Sequence, residues 1–234
     1  MNENSLCEKL IEVIDLTKKY IIQQKEIYGK ELWGDLKINV EEKTKRIPKF
    51  SSLDKLYQYM KECHKCPLGS LRTNLVFGVG NPNAKMVLIG EAPGRDEDLQ
   101  GEPFVGRAGQ LLNRMLIAIN LKREDVYIAN ILKCRPPANR EPLESEVELC
   151  LPYLIEQLNI IKPKIILALG RIAVNSLFKA KMDIKNLRGK IFNFKGIKMV
   201  VTYHPAALLR NPQFKRPAWE DLQMVKKLYD EGNE

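Results

Sequence analysis

The sequence predicts an α/β fold: one three-layer α/β/α domain around a central four-stranded, mainly parallel sheet, preceded by a helical N-terminal extension. Two observations carry that prediction. Four short runs rich in aliphatic and β-branched residues, at 86–89, 126–131, 165–169 and 199–202, stand at wide intervals along the chain. Between and after them come segments with apolar residues at helical spacing, at 107–119, 143–161, 171–179 and 216–230. Strands that are apolar throughout are covered on both faces, and the helices that alternate with them supply the cover.

Taken in order, residues 1–40 carry Leu6, Leu10, Ile14, Ile21 and Ile22 at roughly helical spacing among Lys and Glu, the pattern of one or two amphipathic helices. The charged run 41–48 ends at Pro48 and reads as a linker. The extension is therefore placed at 1–50 and the domain at 51–234. A helix over 52–63 leads into Cys63-His64-Lys65-Cys66-Pro67-Leu68-Gly69. Residues 190–194, the turn Lys195-Gly196 and residues 197–201 form a hairpin that feeds the fourth strand. A length of 234 residues suits one domain with an extension.

Composition narrows the functional classes. Apolar residues make up 44% of the chain and charged residues 29%, ordinary values for a globular protein. No apolar run approaches the roughly 20 residues of a membrane helix, and the first residues lack the features of a signal peptide. An intracellular, cytoplasmic monomer with no membrane association is expected. The net charge of +9 favours a polyanionic partner, most often nucleic acid, although charge alone fits a Lys-rich protein without a nucleic-acid role equally well. Five cysteines in a reducing compartment point to metal ligation or burial rather than disulfides.

Open parallel sheets bind ligands beyond the carboxyl ends of their strands. Here the first strand ends in Gly90-Glu91-Ala92-Pro93-Gly94 and the second in Asn130, running on to Cys134. The third ends in Gly170-Arg171, and the fourth in Tyr203-His204-Pro205. Asn130 offers a carboxamide donor and acceptor, although Asn at a strand end also caps turns. His204 can donate a hydrogen bond, although a lone histidine is more often structural. Glu91 and Glu97 are carboxylates near these ends, and acidic runs such as 96–98 are usually solvated. Cys63 and Cys66 offer two thiolates from one loop, Cys134 and Cys150 two more, and Cys7 stands apart in the extension. By spacing alone, a zinc site and an iron–sulfur cluster are equally compatible with these four.

Three stretches together resemble the family 4 uracil-DNA glycosylases of the wider uracil-DNA glycosylase superfamily. They are Gly90-Glu91-Ala92-Pro93-Gly94-Arg95-Asp96-Glu97-Asp98 continuing to Gly101-Glu102-Pro103-Phe104-Val105-Gly106-Arg107-Ala108-Gly109; Asn130-Ile131-Leu132-Lys133-Cys134-Arg135-Pro136-Pro137; and His204-Pro205-Ala206-Ala207-Leu208-Leu209-Arg210-Asn211-Pro212. The resemblance covers roughly residues 52–228 and implies an enzyme of base-excision repair. It flips uracil out of single- or double-stranded DNA and hydrolyses its N-glycosidic bond. It implies a base pocket built from Gly90, Ala92, Phe104 and Asn130, with Phe104 as stacking platform and Asn130 reading uracil O4 and N3–H. His204 would stabilise the anion developing on uracil O2. Glu91 would contact the base or orient water, with Glu97 the second choice, because other branches carry Asp where this chain has Ala92. Leu208 would wedge into the vacated base step, with Leu209 the alternate, and Arg210 would meet a phosphate. The resemblance also implies a [4Fe–4S] cluster on Cys63, Cys66, Cys134 and Cys150. Two other classes stay open: a non-catalytic iron–sulfur DNA-binding protein associated with replication, and an iron–sulfur electron carrier.

Overall fold

A computed structural model describes residues 47–231 together with Asp15, Thr17 and Lys19, which are helical and exposed. The remaining residues of the expected extension, and most of its linker, lie outside the described residues. The chain divides into two compact units, Met1–Lys43 and Thr44–Glu234.

The second unit is built on a sheet of β1 (Val79–Gly80), β2 (Met86–Gly90), β3 (Tyr127–Asn130), β4 (Ile165–Leu169), β5 (Ile191–Phe194) and β6 (Ile197–Thr202). The strand order is β1-β3-β2-β4-β6-β5. The expected strands form its parallel centre, β3-β2-β4-β6. The count of four is corrected to six, because β1 pairs antiparallel with β3 at one edge and β5 antiparallel with β6 at the other. β1 is two residues long, too short to show any periodicity. β5 is the first arm of the expected hairpin, and its turn has positive φ at both Lys195 (51°) and Gly196 (89°), which matches the right-handed twist of the strands it joins.

Every residue of β2, β3 and β4 is buried, so side chains alternate between two apolar layers. Val87, Ile89, Ile166 and Ala168 face one layer. It is closed by α1 (Leu53–Met60), α5 (Glu144–Ile161) and α6 (Arg171–Phe178) through Leu56, Met60, Tyr153, Leu154 and Val174. Met86, Leu88, Ile165 and Leu167 face the other. That one is closed by α4 (Arg107–Ala118) and α9 (Lys215–Glu231) through Leu112, Leu116, Leu222 and Val225. The short helices are α2 (Leu68–Leu71), α3 (Arg95–Gln100), α7 (Ile184–Leu187) and α8 (Pro205–Arg210).

The helix ends follow local chemistry. Ser52 Oγ accepts from Lys55 N at 3.3 Å ahead of α1, and Glu146 reaches back to Leu143 N at 2.8 Å to cap α5. No helix of the described residues is long and apolar enough to cross a membrane.

This topology opens a crevice. The connection leaving β2 runs to the α4 layer, whereas those leaving its neighbours β3 and β4 run to the α5–α6 layer. Diverging connections separate above the carboxyl end of β2, the place where such sheets accept ligands.

Candidate active site

At that carboxyl end, Gly90 pairs in register with Asn130. The absence of a side chain at Gly90 is a steric requirement. A Cβ there would lie 2.3 Å from Asn130 Oδ1 and 2.6 Å from Phe104 Cζ. The carboxamide and the aromatic ring are therefore both packed over the Gly90 backbone. Asn130 is 2% exposed, and its Oδ1 is buried without a hydrogen-bond partner. An acceptor left so costs about 1–3 kcal/mol.

His204 enters from the end of β6. Gly170, at the end of β4 with φ 92°, makes room for it, since a Cβ there would stand 2.9 Å from His204 Cβ. The His204 and Phe104 rings face each other with centroids 5.5 Å apart and planes 33° apart. Ala206 N donates to His204 Nδ1 at 3.2 Å. That bond makes Nδ1 the acceptor and leaves the proton on Nε2. Burial, helped by the Arg210 charge and opposed by Glu97, lowers the imidazole pKa to about 4. His204 is thus a neutral Nε2–H donor at physiological pH. Behind it, Tyr203 stacks on Phe214 at 4.4 Å, and Arg188 lies over the Tyr203 ring while holding Asp221.

Glu91 follows Gly90 and is half-buried. Burial first, and Glu141 second, raise its carboxyl to about 7, against the opposing pull of Arg171. Glu141 and Arg171 form an ion pair of 3.0 Å. A carboxylate balanced near neutrality suits proton transfer. Ala92 packs at the margin of the α5–α6 layer.

Two placements depart from the sequence expectation. Glu97 has both oxygens taken up by backbone donors: Gly94 N at 3.1 Å, and Val105 N and Gly106 N at 3.0 Å each. It braces the loop that carries Phe104. Leu208 is 2% exposed and packs into the α4–α9 layer, whereas Leu209 is 37% exposed. The reason is helical phase: once Pro205 starts α8, Leu208 falls on the inner side and Leu209, with exposed Arg210, on the outer.

Arg123 and Gly170 border the site although no local pattern in the sequence marks their roles. Arg123 reaches the Phe104 loop from a turn 19 residues downstream, a distance no local pattern reveals. Positive φ at Gly170 was foreseeable only as a glycine after a strand.

The four cysteines meet in one cavity, lined also by Met60, Lys65, Arg72, Lys133 and Tyr153. Cys134 and Cys150 are buried, and Cys63 and Cys66 partly so. Arg72 Nη1 donates to Cys134 Sγ at 3.3 Å, and Cys63 Sγ lies 3.8 Å from Tyr153 Oη. Gly69 lets the first pair fold back, because a Cβ there would stand 2.5 Å from Cys63 O. Lys133, fully buried, donates to Gln157 Oε1 at 2.6 Å. Burial raises the Cys150 thiol to about 12, and Lys133 opposes that rise. Among the described residues no three His, Cys, Asp or Glu converge on a point where one ion would sit.

Comparison with known proteins agrees with this geometry. The family model of the Uracil DNA glycosylase superfamily matches residues 77–223. The type-4 uracil-DNA glycosylase of Archaeoglobus fulgidus is 47% identical over 185 residues, 76% of this chain and 93% of that protein. That of Saccharolobus solfataricus is also 47% identical, over 75% of this chain and 85% of its own length. That of Thermotoga maritima is 44% identical over 71% of this chain and 89% of its own. With the strand-end pocket and the four cysteines in the same domain, the chain belongs to the uracil-DNA glycosylase superfamily and, within it, to the type-4 family.

Proposed function

We propose that the chain removes uracil from DNA by hydrolysing its N-glycosidic bond, leaving an abasic site in an intact backbone. The observation that carries this reading is the pairing, in one crevice, of a buried unpartnered acceptor on Asn130 with a neutral Nε2–H donor on His204. Uracil presents N3–H to the first and O2 to the second, while its O4 accepts from the Asn130 amide. Phe104 supplies the π-face that a flipped base loses on leaving the stack, worth about 1–3 kcal/mol.

The chemistry follows from these groups. As the C1′–N1 bond breaks, its electron pair leaves with uracil and spreads over O2 and O4. A preorganised N–H aimed at that oxygen is stronger here than in water, because the site excludes solvent. A neutral imidazole stabilises the anion without giving up a proton. The sugar left behind is electron-poor, so it needs a weakly activated water and a nearby negative charge rather than a strong base. Ionised Glu91 supplies that charge, orients the water and takes its proton as the oxygen bonds to C1′. Leu209, exposed on α8 beside Arg210, is the side chain available to hold the gap in the duplex. Lys133 of the Asn130–Cys134 run points into the cysteine cavity, where it donates to Gln157, away from the base pocket.

Cys63, Cys66, Cys134 and Cys150 would hold a [4Fe–4S] cluster. Four thiols lining one cavity offer the all-cysteine donor set that such a cluster takes. Bound there, the cluster supplies cross-links between the loop before α2, the exit of β3 and α5. Activity on uracil-containing DNA tests the reading directly. Single-stranded, U·G and U·A substrates should yield abasic sites, with strand breaks only after alkali or heat. Binding without excision would instead identify a non-catalytic DNA-binding protein, and neither would leave the electron-carrier reading.

A further inference from the structure

Phe104 stands in a conformation its own side chain disfavours. Its φ is 55°, a left-handed value that is an outlier for a bulky non-glycine residue and costs on the order of 1–3 kcal/mol. Such a residue persists only where its surroundings over-determine it. Here they do. The carbonyl of the peptide before Phe104, on Pro103, accepts from Arg123 Nη2. The carbonyl of the peptide after it, on Phe104 itself, accepts from Arg123 Nη1 at 3.2 Å. The N–H of that same second peptide, on Val105, donates to Glu97 Oε1 at 3.0 Å. Rotation about φ and ψ is the relative rotation of these two peptide planes, so pinning both fixes the residue. Arg123 is itself held by Asn113 Oδ1 at 3.2 Å. Behind the loop, α4 passes so close that a Cβ at Gly109 would stand 1.8 Å from Phe104 O.

We propose that Arg123 is a positioning residue for base recognition: its guanidinium locks the two peptide planes around Phe104, so that the ring stands over Gly90 and against His204 before a base arrives. The inference rests on reading Phe104 as the platform for uracil. Ordering the platform in advance removes its entropy cost from the binding step. A lysine at this position could not do the same, because one ammonium lacks the planar fork that reaches two carbonyls and an amide oxygen together. Arg123 touches neither base nor sugar in this scheme; it acts through Phe104 alone.

A double-mutant cycle separates this role from a general structural one. Inhibition by free uracil reads base binding without the chemical step. Arg123→Met should raise the uracil inhibition constant about tenfold when Phe104 is present, within the range expected for losing a stacked base. In a Phe104→Ala background the same change should raise it less than about twofold. With intact Phe104, KM should rise more than single-turnover kcat falls. Asn113→Ala, which keeps the charge but frees one side of the fork, should move the constant in the same direction by a few-fold and carries the test if Arg123→Met does not fold. An equal rise in both backgrounds, or no rise in either, overturns the proposal. A wild-type protein that neither excises nor binds uracil overturns the functional reading, and with it the positioning role that rests on that reading, and is told apart from failure of the lock because it needs no variant.

Discussion

The proposed base pocket and the cysteine cavity sit on the same short exit from β3, with Asn130 in one and Cys134 in the other, yet they are organised by different means. The pocket is set at the main chain. Gly90 and Gly170 admit Asn130 and His204, a backbone N–H chooses the His204 tautomer, and the Arg123 and Glu97 side chains pin the peptides around Phe104. It is complete before any ligand arrives. The cavity is set by side chains drawn from a loop, a strand exit and a helix, and burial raises the Cys134 and Cys150 thiols. A cluster bound there, as proposed, would displace thiol protons and add folding free energy. On that reading one region is preorganised, and the other is stabilised by what it binds.

The largest effect should come from breaking the second region. Cys134→Ala is expected to lose iron and cooperative melting together, since ligand-coupled stability at structural metal sites is on the order of 10 kcal/mol. Iron per chain and a thermal melt check this; a colourless variant with an unchanged melt would show that the cavity needs no group to hold it.

Asn130→Asp strikes the first region and should leave iron content intact. An ionised carboxylate repels uracil O4, and losing a bidentate match costs about ten- to hundredfold. A trace of activity on cytosine should appear, since the carboxylate accepts from N4–H. Gly90→Ala should cost about as much, because its Cβ would displace both Asn130 and Phe104. Full uracil activity in Asn130→Asp would remove Asn130 from base reading.

The pH profile distinguishes two groups within the pocket. Excision should rise about tenfold between about pH 6 and pH 8 as Glu91 ionises, and Glu91→Gln should flatten that limb. His204, at about 4, contributes no limb near neutrality, so His204→Gln should lower the rate and keep the limb. Stability moves in opposite directions. Glu91 is raised from 4.5 to about 7, so its contribution is full below 4.5 and lost as pH rises through about 7. His204 is lowered from 6.5 to about 4, so its contribution is full above 6.5 and lost as pH falls through about 4.

The smallest activity effect belongs to α8. Leu209→Ala should reduce excision from duplex DNA a few-fold while sparing single strands and the melt. Leu208→Ala should instead cost about 2–5 kcal/mol of stability, as buried leucines do. The reverse pattern would restore Leu208 as the wedge.

Much of this was legible before any coordinates. The parallel centre of the sheet showed as apolar runs because strands covered on both faces need no polar alternation. Asn130 and His204 are placed at strand ends by the apolar runs, but only the motif resemblance singles them out from ordinary strand-end residues. The edge strand β1 was not legible, since two residues carry no period. Leu208 and Leu209 were adjacent and chemically alike, so only the phase of α8 separates them.

By itself, then, the sequence determined the α/β class, the strand ends that meet, the residue types available there and the cysteine set, because periodicity and motif order are written along one dimension. Tertiary structure alone decided the protonation state of His204, the turning of Glu97 to backbone, the inward side of α8 and the hold of Arg123 on Phe104. Each of these depends on burial or on a hydrogen bond from a segment distant in the chain, and neither is encoded in local spacing.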